Sequence, residues 1–223
     1  MRNKRLYFNI SEMNLLLVFS SLFSVGLVFA RVVYTLTPTY LALIWNLFLA
    51  WIPYISSYLL YKKSRQRIKD LIFFPWIGFW ILFYPNAPYI ITDLFHLAEH
   101  DGIPQWFDLV LIFSFALNGL VLSVLSMHDI QKVITRKYNK RTGWVLTAIF
   151  LLLSGFGVYL GRYLRWNSWD VFTQTLLLFS DLKHILVNPL QNAIVYGFTL
   201  VFSSFLMLFY FTVIRIFNIM KQK

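Results

Sequence analysis

The chain has 223 residues, 59% of them hydrophobic, 20% aromatic and only 13% charged, which excludes an ordinary soluble domain and fits a polytopic membrane protein. It has no cysteine, so disulfides, zinc–thiolate sites and thiol nucleophiles are excluded. The net charge of +11 does not point to nucleic acid, because the basic residues lie between apolar runs, where membrane topology accounts for them.

Six apolar segments reach the roughly 20 residues that a helix needs to cross a bilayer. They cover about residues 14–36, 40–61, 71–92, 107–128, 142–164 and 192–214. The expected architecture is therefore all-α, a single membrane-embedded bundle (1–223) of about six transmembrane helices. The first run contains Val28-Phe29-Ala30, which resembles a signal-peptide cleavage site. Apolar sequence continues through Val32, Val33 and Leu36, so an uncleaved first span is expected. Sixteen of the 20 lysines and arginines fall near the two termini or in the connections at 62–69 and 132–141. The positive-inside rule then places both termini in the cytoplasm. Acids lean the other way: Asp93, Glu99, Asp101, Asp108, Asp170 and Asp181 fall on the outer side, as do His96, His100 and His184.

Segments one and five each carry small residues four apart directly before an arginine, Gly26-x-x-x-Ala30-Arg31 and Gly157-x-x-x-Gly161-Arg162. Such spacing lets helix backbones approach closely in lipid.

The third segment ends in Tyr84-Pro85-Asn86-Ala87-Pro88-Tyr89-Ile90-Ile91-Thr92-Asp93-Leu94-Phe95-His96. Proline lacks a backbone donor and clashes with the preceding turn, so a break is expected at Pro85 and Pro88. Asp93 sits at a helix carboxyl end, where the macrodipole disfavours an anion, so it requires a cationic partner or a metal. Asp93, His96 and His100 stand at i, i+3 and i+7, and one carboxylate with two imidazoles is a donor set for a divalent ion, with Asp108 or Asp170 as a further ligand. No His-Glu-x-x-His signature accompanies them and no metal is assigned; the cofactor is unknown. Asp108 stands in the first turn of an inward-running helix, where a carboxylate is welcome as a cap.

Arg162 and Arg165, three apart at the outer end of segment five, would share a helical face, two forks suited to a phosphate or carboxylate. Internal pairing with Asp93, Asp108 or Asp170 is the competing reading, since intramembrane charges usually pair, and snorkelling toward headgroups is a third. Asn167-Ser168-Trp169-Asp170 reads as a helix start with its own cap. The apolar-rich stretch after it, about 168–188, reads as a helix lying in the outer interface. Asn46 and Asn118, inside spans, read as helix–helix glue.

Three stretches resemble a known family: Leu82 to Leu97, Trp106-Phe107-Asp108-Leu109 with Ser114 to Leu120, and Gly161-Arg162-Tyr163-Leu164-Arg165-Trp166-Asn167-Ser168-Trp169-Asp170. They are similar to the blocks of a bacterial integral-membrane family catalogued as domain of unknown function 1361. The resemblance implies a bacterial cytoplasmic membrane and singles out Asn86, Asp93, His96, Asp108, Arg162, Arg165, Asn167 and Asp170. It brings no activity, and His100 lies outside its pattern.

The leading expectation is a polar site at the exoplasmic face that binds or processes an anionic lipid or amphiphile headgroup. Asp93 and His96 would supply acid–base chemistry, and Arg162, Arg165, Asn86, Asp108, Asn167 and Asp170 would bind the substrate. A small-solute or ion transporter and a non-catalytic accessory protein are the alternatives. The broken span favours the former, but carriers place such sites near the bilayer midplane.

Overall fold

In the computed structural model residues 10–66, 68–97 and 103–222 are described, and among them the regular structure is helical, with no strand. Helix α1 (Ile10–Thr35) and α2 (Leu41–Lys63) form the first hairpin. Helix α3 (Asp70–Phe83) continues through a short α4 (Asn86–Tyr89) into a 3-10 segment (Ile90–His96). Then follow α5 (Gln105–Lys137), α6 (Lys140–Tyr163), α7 (Asp170–Thr173), α8 (Thr175–Val187) and α9 (Ala193–Gln222). Six stretches are long and apolar enough to span a membrane: Glu12–Thr35, Leu41–Lys63, Asp70–His96, Gln105–Lys137, Lys140–Tyr163 and Ala193–Met220. The protein is a multi-pass, all-α membrane bundle, as its hydropathy predicts.

The first five spans are joined by short connections and alternate in direction, so the basic connections gather at one end of the bundle and the Asp93–His96 turn at the other, the polar end. Helix α5 is the central post: at 33 residues, about 50 Å at 1.5 Å per residue, it packs against α1, α2, α4, the 3-10 segment and α6, while α9 packs on α6. Large apolar side chains such as Phe19, Leu22 and Phe23 on α1 and Leu200, Val201 and Leu208 on α9 are exposed on the bundle's outside. Bilayer tails, rather than water, are the natural solvent of that surface.

Polar groups inside the spans find partners on neighbouring helices. The Trp80 indole donates to Ser126 Oγ (2.8 Å), which donates to the Pro53 carbonyl (3.0 Å), stitching α3, α5 and α2 together. Asn118 Nδ2 donates to Ser24 Oγ on α1 (3.0 Å), the gluing role expected of it. Each bond spares a donor from hydrocarbon, where an unmade one is costly.

The stretch expected to lie in the interface is helical but in two pieces, broken at Gln174. Phe172, Leu176, Phe179 and Leu186 are exposed, whereas Leu178 and Ile185 are buried against the bundle.

Candidate functional site

The prolines end α3 at Phe83 and deprive the carbonyls of the last turn of their usual donors. Side chains replace them. Asn86 Nδ2 donates to the Phe83 carbonyl (2.8 Å) and to Ser168 Oγ (2.9 Å), and Ser168 Oγ donates to the Leu82 carbonyl (2.9 Å). Asn86 and Ser168, 82 positions apart, therefore repair the break jointly. Past it the chain tightens to 3-10 winding, in which residues three apart eclipse.

That winding presents Tyr89, Thr92, Asp93 and His96 to a single cation, Arg162. Its Nε donates to Thr92 Oγ1 (2.8 Å), its Nη1 meets His96 Nε2 (2.9 Å), and its Nη2 donates to Asp93 Oδ1 in a short ion pair. The guanidinium also lies 4.7 Å from the centre of the Tyr89 ring, a cation–π contact. The second Asp93 oxygen accepts from Asn46 Nδ2 (2.9 Å). Asp93 is only 4% exposed, so both of its oxygens are engaged inside protein. Arg162 is the cation that a carboxylate at this helix end requires.

A second pair lies nearby. Arg31 and Asp108, both 1% exposed, meet fork to fork: Nε to Oδ1 at 2.7 Å and Nη2 to Oδ2 at 3.0 Å. Asp108 thus holds a partner on α1 in addition to standing in the first turn of α5. Tyr40 links the two pairs. Its ring lies 4.7 Å from the Arg31 guanidinium and its hydroxyl donates to the His96 carbonyl (3.1 Å). Burial, and then the Asp108 carboxylate, push the Tyr40 hydroxyl above its usual pKa, so it stays a donor. In both GxxxA-Arg and GxxxG-Arg patterns the arginine ends on an aspartate at the polar end. The close approach holds for one of them only: a Cβ on Gly157 would stand 2.6 Å from Pro85 Cγ and one on Gly161 3.3 Å from the Tyr89 ring, whereas nothing lies within 4 Å at Gly26.

The helical face expected to join Arg162 and Arg165 does not form. Helix α6 ends at Tyr163, and Arg165 adopts the left-handed conformation (φ 60°) that often closes a helix, followed by a bond from Trp166 N–H to the Leu160 carbonyl (3.1 Å). Arg162 points into the bundle and Arg165 is exposed. Arg165 makes no ion pair with a described residue, and it lies near Tyr89. Asp170 folds back on its own turn, accepting from the Asn167 N–H (2.8 Å), Asn167 Nδ2 (3.1 Å) and Thr173 Oγ1 (3.0 Å). The backbone donor at Asn167 is the main cause of a carboxyl pKa below the usual range.

Between these clusters α2, α3, α4 and α6 enclose a cavity of about 280 Å³, roofed by residues 166–171. Chain direction orders its wall. Leu49, Ile81, Leu82, Leu153 and Phe156 lie toward the middle of the bundle, whereas Asn46, Asn86, Tyr89, Asn167 and Ser168 lie toward the polar end. Asn46 and Tyr89 stand between this space and the Asp93–Arg162 pair. The structure therefore brings Asn86, Asn167 and Ser168 to the cavity, leaves Asp170 behind Asn167, places Asp93, His96 and Arg162 just behind the wall, and sets Asp108 apart with Arg31. His100, proposed above as a third metal donor, lies outside the described residues.

The family model described as a protein of unknown function (DUF1361) matches residues 45–217. The chain belongs to that family. No curated protein and no solved structure matches it. The DUF1361 match includes Asn46, Thr92 and Ser168, which were not among the expected site residues, but not Arg31 or Tyr40. Asn46 was assigned to helix packing because a single amide in a span gives no hint of which helix it faces. Ser168 had a signal, lying inside the third family-like block, but its partner is the proline break.

Proposed function

We propose that this DUF1361 protein binds an anionic amphiphile at the exoplasmic face of a bacterial cytoplasmic membrane, both termini being cytoplasmic. The observation that carries the reading is the graded cavity, apolar toward the bundle's middle and polar toward its end, with the exposed Arg165 next in sequence to its lining and near Tyr89. Arg165 directly precedes three lining residues, Trp166, Asn167 and Ser168, and holds a left-handed conformation that costs a non-glycine residue about 1 kcal/mol. Strain of this kind gathers at ligand clamps. Arg165 meets the anionic group, Asn86, Asn167 and Asp170 shape the mouth, and Arg162 with Asp93 and His96 braces the wall. Binding is better supported than processing, because both Asp93 oxygens are already taken.

The test is lipid retention. In nanodiscs of equal phosphatidylglycerol and phosphatidylcholine, native mass spectrometry should find the anionic lipid preferentially retained. Arg165→Ala should weaken that retention about fivefold, the effect of about 1 kcal/mol. Equal retention of the two lipids by the unaltered protein overturns the reading.

A further inference from the structure

The cavity wall carries no charged side chain: every Asp, Glu, Lys, Arg and His is absent from its lining. A bare phosphate or a lone ammonium inside it would have no counter-charge. What the wall offers instead is three amides, Asn46, Asn86 and Asn167, with the Tyr89 ring and hydroxyl beside them.

Their orientation is dictated by chemistry. Asn46 and Asn167 each point nitrogen at a carboxylate, Asp93 and Asp170, and Asn86 points nitrogen at the Phe83 carbonyl. Carboxylates and carbonyls only accept, so in each case the nitrogen is the tied atom and the oxygen is left. None of the three oxygens accepts a hydrogen bond from a described residue, and the Tyr89 hydroxyl has no such partner either. Asn86 gives both hydrogens away, to Phe83 and Ser168, while Asn46 and Asn167 each keep one N–H. An amide with a free oxygen and a free N–H matches a hydroxyl, which donates and accepts at once. The carboxylates behind two of the amides polarise them further and make their oxygens better acceptors.

We infer that the group facing the amides at the cavity's polar end is an uncharged, polyhydroxylated head, a glycerol or a sugar-like ring, which enters head first while its ester phosphate stays at Arg165 and its acyl chains stay in the bilayer. This deepens the proposed amphiphile site and rests on it. A rigid array of amide groups next to Tyr89, Trp45 and Trp166 suits such a head: hydroxyls meet the amides and C–H faces meet the rings.

The experiment compares lipids of equal charge. The full-length protein is placed in nanodiscs of phosphatidylcholine containing small equal fractions of phosphatidylglycerol and phosphatidylmethanol. Both are phosphodiester anions, but only the first carries head-group hydroxyls. Native mass spectrometry should show phosphatidylglycerol retained about tenfold over phosphatidylmethanol, and Asn86→Ala should bring the ratio toward one. Adding phosphatidylinositol separates the sources, stronger retention than phosphatidylglycerol marking a ring and weaker retention a glycerol. Equal retention of the glycerol and methanol esters, both above phosphatidylcholine, overturns the hydroxyl inference and leaves the anion site standing. Retention of neither above phosphatidylcholine overturns both. The comparison needs no variant, so it decides even if Asn86→Ala fails to assemble.

Discussion

Arg162 satisfies three side chains and a ring with one guanidinium, and lysine, a point charge on a flexible stem, cannot reproduce that fork. Removing one partner of a buried pair strands the other's charge and costs about 3–5 kcal/mol, whereas removing both often costs far less. Arg162→Ala should therefore lower the unfolding temperature in detergent sharply, and Asp93→Asn added to it should restore part of the loss. Full recovery is not expected, because Thr92, His96 and Tyr89 still lose their partner. Asp170 bears on acid sensitivity. Its folded pKa is depressed, so its contribution is complete above the unfolded value of about 3.9 and is lost as pH falls through the lower folded value. Thermal melts between pH 5 and pH 3 should show a fall for the unaltered protein that Asp170→Asn reduces. Asp93's need for a cation was legible from its place at a helix carboxyl end. The Arg31–Asp108 pair was not, because 77 positions separate the two and only the packing of α1 on α5 brings them together.

At the scale of elements, the break in the third span followed from two prolines, but its 3-10 continuation did not. Sequence spacing alone cannot separate i+3 contacts made on an α-helix from those on tighter winding. The seam between α6 and the broken span offers a graded test. Gly157→Ala would drive a methyl against the Pro85 ring, which cannot rotate away, whereas Gly161→Ala meets only the edge of close contact with Tyr89. Overpacking costs about 1–3 kcal/mol, so Gly157→Ala should destabilise clearly and Gly161→Ala less. Gly26→Ala should be neutral or mildly stabilising, since nothing lies near its Cβ and alanine favours the helix. Melting temperatures in that order bear out the seam; a large loss at Gly26 would contradict the open space beside it.

For the whole molecule, hydropathy was sufficient to read the number of spans, because bilayer thickness fixes their length, and the distribution of lysine and arginine predicts their direction. The convergence of α2, α4, α6 and residues 166–171 on one cavity was beyond reach, since it depends on helix order around α5. The absence of native cysteine makes direction easy to measure. In intact cells a membrane-impermeant maleimide should label Gln174→Cys but not Gln66→Cys, and the reverse pattern would invert the orientation. The cavity has one more consequence. Its lining reaches no deeper than Leu49, Ile81 and Leu153, so in this conformation it is a cul-de-sac. Under the amphiphile-binding proposal, a guest seated there would leave from the same polar half of the bundle by which it entered.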